Sequence, residues 1–585
     1  MVARDAVEMQ SYSGYQAVDI SSNIKRETAI AFMQKLNDLP GVDVKQEPIR
    51  SYPFGKLASN VLGYVGKIST SGKDETEAYT ERGYDVSSDI IGMSGLEAAE
   101  EDRLKGTAGG SVVEVNKNGR VINEFASKAP YPGQNIKTTI NADVEYAAEQ
   151  ALKTSLENLR KNANSDERSY TGNATRGAAI AFDPHTGGVI ALASYPNFDP
   201  NDFANPLYNY ATMGLTPPGS TFKPLTAIAG LETGAITPGT EVDDEAVFED
   251  NGKVIARFDA DGKLGTLDLV GAIAHSSNAY FMSVGRWLRE KCGEDILAQY
   301  AWKFGLGVKP NSGISPSTGI EIKENFGQVY NSYSIKSNFG QQAEWKVMQD
   351  LLNKVYAKNI SIDLYTSDSD TKYKDIVKFK ASIKETIKDY VIAGKFDKDK
   401  FSQLLNEFME SSPVYKGVTL SNSDMNSILR GVNSIVISYI SQADAPGAMY
   451  SASIGQGNDN FTLLQVANYI ATIANGGKRY KVHLVDQITD STDGSVVYKN
   501  NPEVVEDTKV SQATLNTVKE GMKQVNTIGT AAGKFTDFPF ATAGKTGTED
   551  PYSSNEFEKQ IGRTSYALYV GFAPADNPKI AVATI

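Results

Sequence analysis

The feature that most restricts the fold is a set of strand-like segments split between the two ends of residues 170–585. Gly177-Ala-Ala-Ile-Ala-Phe-Asp183, the turn Pro184-His-Thr-Gly-Gly188 and Val189-Ile-Ala-Leu-Ala-Ser194 read as an antiparallel hairpin. Pro539 to Thr548, Tyr566 to Ala573 and Lys579 to Ile585 again read as strands, whereas most of the intervening 200–535 reads as helix. The pattern predicts one antiparallel sheet assembled from both ends of this region, with helices packed on it, an α+β layout.

At 585 residues the chain is too long for a single hydrophobic core. With 40% hydrophobic and 22% charged residues, it is neither disordered, collagenous nor membrane-embedded. The net charge of −13 disfavours nucleic acid, whose binding rests on phosphate contacts. The single cysteine, Cys292, excludes an internal disulfide and a multi-cysteine zinc site. The sequence shows no apolar run long enough to span a membrane, no signal-peptide core and no lipidation motif. Both ends are abrupt, which leads us to expect an excised fragment.

The first 165 residues read as a separate mixed α/β domain. Asn23 to Leu36 carries helix formers, Arg50-Ser-Tyr-Pro-Phe-Gly55 a turn, and Val61-Leu-Gly-Tyr-Val-Gly66 a strand. Residues 133–141 alternate like a strand, and Asp143 to Arg160 follows with Val144, Ala147, Ala148, Ala151, Leu152 and Leu159 on one helical face. The polar stretch Lys161 to Thr175 is the expected boundary with a second domain, 170–585. Inside the second domain, residues 344–441 show four amphipathic helices. Their faces are Trp345, Met348, Leu351, Leu352 and Val355; Ile376, Phe379, Ile383, Ile387 and Tyr390; Phe401, Leu404, Leu405 and Phe408; and Met425, Ile428, Leu429, Val432, Ile435 and Tyr439. Asp397 and Ser421 sit where N-caps belong, and Asn359 to Asp370 is a polar connection. This block is expected to bury its own faces as a helical insertion; a partner-binding surface is the alternative.

Three short patterns carry the chemistry: Ser220-Thr-Phe-Lys223, Ser276-Ser-Asn278 and Lys545-Thr-Gly-Thr548. The bare strings recur by chance, as in Ser22-Asn-Ile-Lys25 and Ser553-Ser-Asn555, so context decides. Pro217-Pro-Gly precedes Ser220 and a helical run closed by Gly234 follows it. Lys223, three residues on, lies on the same face and can serve as base to an activated serine nucleophile. Ser276 and Asn278 fall on a turn between two helices, where Ser276 could pass a proton to a leaving group and Asn278 hold a substrate amide. Lys545-Thr-Gly-Thr548 ends a strand with small Ala541, Ala543 and Gly544, along which a substrate backbone could lie. Lys545 offers positive charge, Thr546 and Thr548 hydroxyls for a carboxylate, and the backbone N–H groups of Ser220 and Thr548 an oxyanion hole. The only histidines, His185, His275 and His483, read as structural, and His275 with Cys292 does not make a metal site.

These residues resemble the class B penicillin-binding proteins, the serine D,D-transpeptidases that cross-link peptidoglycan. The likeness includes Pro218-Gly-Ser-Thr-Phe-Lys-Pro224, Asp183-Pro-His-Thr-Gly187, Ala193-Ser-Tyr-Pro196, Ser453-Ile-Gly-Gln-Gly457, Ile473-Ala-Asn-Gly-Gly477 and Val570-Gly-Phe-Ala-Pro-Ala-Asp576. Arg50-Ser-Tyr-Pro, Leu57-Ala-Ser-Asn-Val-Leu-Gly63 and Ser94-Gly-Leu-Glu97 resemble that family's pedestal, nearer the elongation type than the division type. The resemblance implies a penicillin-recognising fold, an antiparallel sheet with helices on both sides plus an all-helical lobe, on an extended pedestal. It further implies a nucleophile at Ser220, a base at Lys223, a proton relay at Ser276 and Lys545, and substrate contacts at Asn278, Thr546, Gly547 and Thr548, with no cofactor and no metal. The implied partners are stem peptides ending in D-Ala-D-Ala, β-lactams and a membrane glycan polymerase of the SEDS type. The implied place is the extracytoplasmic face of a bacterial membrane, held by an N-terminal helix that this chain lacks. Two departures stand out: the anchor and the opening Arg-Gly-type segment are missing, and the long separation of the second motif from the third is accounted for by the helical block. A β-lactam sensor or β-lactamase, and a non-catalytic wall-synthesis scaffold, are the alternative readings.

Overall fold

The computed structural model describes residues 20–21, 24–39, 44, 50–84, 86, 89–107, 110–115, 121–129, 131–163, 170–202, 208–258, 262–356, 374–413, 420–549 and 565–585. These fall into two compact units. One holds the described residues of 1–138, 197–206 and 485–500, and the other those of 139–196, 207–484 and 501–585.

The first unit is built from short elements. Strand Val65–Lys67 pairs with Ile90–Gly92, Gly110–Val115 pairs with Val121–Lys128, and Asn135–Thr138 joins a three-stranded sheet with Val485–Thr489 and Val496–Lys499. The segment read as a strand from Val61 instead begins as a helical turn, Ser59–Leu62. The helix expected from Asn23 runs over Arg26–Met33, and Asn23 itself lies outside the described residues. A charge cluster around buried Glu97 explains two of the quoted motifs: Arg50 Nη2 donates to Glu97 Oε2 at 2.7 Å and Tyr52 Oη donates to Glu97 Oε1 at 3.2 Å. Glu97 is buried, and these donors satisfy both of its carboxylate oxygens.

The second unit contains, in chain order, α1 (Ala142–Lys161), β1 (Gly177–Phe182), β2 (Val189–Tyr195), α2 (Lys223–Glu232), α3 (Leu269–His275), α4 (Asn278–Cys292), α5 (Ser332–Tyr356), α6 (Lys374–Ala393), α7 (Lys398–Ser411), α8 (Asn422–Ala443), α9 (Leu463–Ala474), α10 (Gln512–Thr527), β3 (Ala543–Glu549), β4 (Tyr566–Ala573) and β5 (Ile580–Thr584), among shorter pieces. The five strands form one antiparallel sheet in the order β3-β4-β5-β1-β2. Strand β5 therefore pairs with the β1–β2 hairpin, and Ala178 and Ile585 exchange both backbone hydrogen bonds at 3.0 Å. Every residue of α9 is buried, as a helix that is apolar on most sides requires, and it packs on β1, β4 and β5.

The contacts group α1 with the second unit, where it packs on β2, although the polar stretch after it suggested a boundary near residue 165. Its buried face also differs from the apolar reading: Ala147, Ala151 and Leu159 are exposed, while Glu145, Glu149 and Leu156 are buried. Glu145 accepts the Leu192 N–H of β2, and its Oε1 finds no hydrogen-bond partner among the described residues.

The insertion forms the four helices expected of it, α5 to α8, with their own core of Val347, Ile376, Phe379, Ile383, Phe401, Phe408, Leu429 and Val432 among others. Phe379 and Phe408 stack at 3.7 Å. Asp397 accepts the Lys400 N–H and Ser421 the Asp424 N–H, so both predicted caps are in place. Trp345 does not face this core; Ala343 and Val347 do, and Trp345 is 65% exposed. The predicted face residues Leu351, Leu352 and Val355 and the connection Asn359 to Asp370 lie outside the residues whose side chains are described.

Burial pushes the Glu145 carboxyl up to about 7 from 4.5. A raised folded-state value means that Glu145 favours folding fully below about pH 4.5 and loses that contribution as the pH rises through about 7. Between pH 5 and pH 8, urea denaturation should show the wild type losing as much as roughly 3 kcal/mol relative to Glu145→Gln, which keeps the Leu192 acceptor without a charge.

Candidate active site

The second unit brings all three motifs to one place. Ser220 lies in a tight helical turn, Gly219–Phe222, that leads directly into α2, so Lys223 begins the α-helix. Ser220 is half-buried while Lys223 is fully buried. Lys223 Nζ donates to Ser276 O at 2.6 Å and Asn278 Oδ1 at 2.7 Å, and lies 3.1 Å from Ser276 Oγ. None of these acceptors is a carboxylate.

Ser276 is the C-cap of α3 in a left-handed conformation, φ 60°, and Ser277 is the N-cap of α4. The reversal between the two helices, which the sequence suggested, aims Ser276 and also Asn278 at Lys223. The middle serine is held from behind: Ser277 Oγ accepts the Tyr280 N–H at 3.0 Å and donates to buried Asp244. Asp244 also accepts the Ala246 N–H at 2.8 Å, which leaves its carboxylate oriented toward the motif. No short-range pattern marks Asp244, because its contact with Ser277 spans 33 residues.

Lys545 comes from β3, which lies at the edge of the sheet with β4 as its strand neighbour among the described residues. Its side chain is fully buried and Nζ donates to Thr546 O at 3.0 Å. Burial first, and then the charge of Lys223, holds the Lys545 ammonium well below the ordinary lysine range. Two buried lysines thus share the site, a condition that favours one of them giving up its proton. Thr546 is half-buried and its Oγ1 lies 2.6 Å from Thr530 Oγ1; Thr548 is exposed.

Close backbone contacts fix the nucleophile turn. Gly219 N donates to Gly455 O at 2.9 Å, and a Cβ on Gly455, at φ 77°, would stand 2.1 Å from Gly219 O. This gives Ser453-Ile-Gly-Gln-Gly457 its purpose: Ser453 O accepts the Thr226 hydroxyl at 2.7 Å, and Tyr469 Oη donates to Thr221 O at 3.2 Å. On the other side a Cβ at Gly547 would stand 2.8 Å from Thr221 Cγ2, so β3 presses on the turn. Gly544 is small for a different reason from the one expected. The Tyr569 ring of β4 occupies the space above it, 2.2 Å from where a Cβ would sit, and Tyr569 Oη accepts a hydrogen bond from Asn526 Nδ2 at 3.0 Å. Asp244, Tyr469, Asn526 and Thr530 are the supporting residues that the motif reading does not single out, and Gly455 stands in a quoted motif whose role the structure explains.

The histidines stand apart from this cleft chemistry: His185 Nε2 lies 2.9 Å from Pro578 O, His483 Nδ1 lies 3.4 Å from Lys481 O, and His275 is exposed. Among the described residues no cluster of His, Cys, Asp and Glu could hold a metal ion.

A half-buried serine at the head of a helix, a buried lysine on the next turn, a Ser-x-Asn reversal and a Lys-Thr-Gly edge strand define a serine acyltransferase of the penicillin-recognising class. The chain matches the profile of the penicillin-binding protein dimerisation domain over residues 3–138 and that of the penicillin binding protein transpeptidase domain over 177–394 and 390–585. It belongs to the penicillin-binding protein transpeptidase family. The peptidoglycan D,D-transpeptidase MrdA of Acinetobacter baumannii is 25% identical over 97% of this chain and 68% of that protein. Among solved structures, a chain of a peptidoglycan synthase complex that coordinates polymerization and crosslinking aligns with a TM-score of 0.62 at 22% identity, covering all of this chain and 80% of that one. The complex between penicillin-binding protein PBP2 and MreC from Helicobacter pylori aligns with a TM-score of 0.59 at 20% identity, over 98% of this chain and 82% of its match.

Gly455→Ala should displace the Ser220 turn. We expect a stability loss of about 1–3 kcal/mol in urea denaturation, together with an at least ~10-fold slower acylation by benzylpenicillin in a mass-spectrometric time course, each 1.4 kcal/mol of lost positioning being worth about tenfold.

Proposed function

We propose that this chain cross-links peptidoglycan stem peptides through an acyl-enzyme on Ser220. The observation that carries the reading is the convergence of Ser276, Asn278 and Ser220's neighbour Lys223 at one buried ammonium, bordered by the Lys545 strand. The donor peptide lies along the edge of β3, with its terminal carboxylate at Lys545, Thr546 and Thr548 and an amide at Asn278. A carboxylate beside Lys545 restores the charge that burial suppresses, which leaves Lys223 as the neutral base. Lys223 takes the Ser220 proton as Oγ bonds to the penultimate carbonyl carbon, and the backbone N–H groups of Ser220 and Thr548 face the oxyanion. The C–N bond to the terminal D-alanine then breaks, the proton reaching its amine through Ser276. In the second half an acceptor amine attacks the ester, its C–N bond forms, the C–O bond to Ser220 breaks, and the amine's proton returns to Oγ through Lys223. A β-lactam amide enters the same path and stops at the ester.

The first unit, in this reading, is the pedestal, and its partner is a membrane glycan polymerase of the SEDS type; likeness to a chain of a peptidoglycan synthase complex supports this. Likeness to MrdA supports an elongation role. No helix among the described residues is long and apolar enough to cross a membrane. The chemistry belongs on the extracytoplasmic face, with a membrane helix ahead of the pedestal as the anchor.

Intact-mass measurement after incubation with benzylpenicillin, followed by peptide mapping, tests the assignment. One penicilloyl group on the Ser220 peptide, absent from Ser220→Ala, is expected, and Lys223→Met should slow its formation by roughly 10²–10⁴-fold. Persistence of the adduct for hours supports the transpeptidase, and its hydrolysis within minutes would favour a β-lactamase. No adduct on a folded chain would favour a scaffold.

A further inference from the structure

A shallow, open groove lies on the helical insertion, lined among the described residues by Asn338, Gln341, Gln342 and Trp345 of α5 and by Tyr439 of α8. The four α5 residues are spaced i, i+3, i+4 and i+7, so they form one stripe. Ala343 and Val347, on the other side of the same helix, supply the core, which leaves this stripe facing outward. Trp345, 65% exposed, holds a large apolar ring in water. Tyr439 is fixed in place by Phe339, their ring centroids 6.3 Å apart.

The composition of the lining selects a ligand. None of the five described lining side chains carries a charge, which argues against phosphate or carboxylate recognition, where Arg and Lys dominate. Three primary amides each present one acceptor oxygen and two N–H donors, a set that matches groups able both to donate and to accept. Sugar hydroxyls and N-acetyl amides are such groups, and the C–H face of a pyranose covers an exposed indole. A proline-rich peptide would call for a run of aromatic ridges with few amides between them, whereas among the described lining residues amides outnumber aromatic rings.

We propose that this groove binds a neutral saccharide, an N-acetylhexosamine chain, with Trp345 as the stacking platform and Asn338, Gln341 and Gln342 as the polar contacts. Resting on the reading of the cleft as a stem-peptide transpeptidase, this makes the insertion a holder of the glycan strand whose peptides are joined.

Calorimetric titration of the full chain with the β-1,4-linked N-acetylglucosamine tetramer tests it, with benzylpenicillin acylation measured on the same samples. Saturable binding is expected, weakened at least ~10-fold by Trp345→Ala and less by Trp345→Phe. The pair Gln341→Ala and Gln342→Ala should also weaken it, and all variants should acylate at the wild-type rate, which shows that they are folded. No binding up to about 10 mM tetramer, binding unchanged in Trp345→Ala, or binding of a proline-rich peptide instead would overturn the proposal. Failure of the wild type to acylate would strike the transpeptidase reading alone, since the titration reports the groove independently.

Discussion

The site depends on burying two lysine ammonium groups in one place. Lys223 and Lys545 are both fully buried, and Lys223 is met by a carbonyl, a hydroxyl and an amide oxygen. Desolvation of a cation is costly and a second cation nearby adds to the cost, so the site works against holding both protons. Much of the surrounding structure serves this arrangement. The α3–α4 reversal supplies oxygens to Lys223, Asp244 braces that reversal through Ser277, and the edge strand brings Lys545 in from the far end of the chain. An anionic substrate would relieve the imbalance, so binding and activation of the nucleophile are two aspects of one electrostatic constraint.

Sheet closure is the mechanical counterpart. The strand order β3-β4-β5-β1-β2 ties β5 to the β1–β2 hairpin, which places β3 at the edge of the described sheet and against the Ser220 turn. Contacts on both sides of that turn, Gly455 on one and Gly547 on the other, leave no room for a Cβ. Backbone proximity is therefore what holds the serine, and only long-range packing could have revealed it.

That division explains what was legible in the sequence. Period-2 and period-3.6 patterns announced the five strands and the insertion's four helices, and Asp397 and Ser421 announced their caps, because these signals are local. The motif serines and lysines were legible because their spacing fits one turn of helix or one reversal. Residues whose role depends on a distant partner were not. Glu145 reads as a solvent-facing acid yet accepts a backbone N–H from β2; Trp345 reads as core yet stands in water; Asp244 gives no signal at all. Gly544 was legible as small, but Tyr569 across the β3–β4 pair is the reason.

The most direct test of the central claim is the pH dependence of the second-order rate of acylation by benzylpenicillin, in the wild type and in Lys545→Met. The account predicts a rate that rises with pH as the coupled lysine pair loses its first proton, through a midpoint below the ordinary lysine value of 10.5, since burial and the charge of Lys223 hold Lys545 well below it. It further predicts that removing the second ammonium moves that midpoint upward, since the remaining lysine then loses its proton less readily. A wild-type midpoint near the ordinary lysine value, or one that Lys545→Met leaves in place, would contradict it.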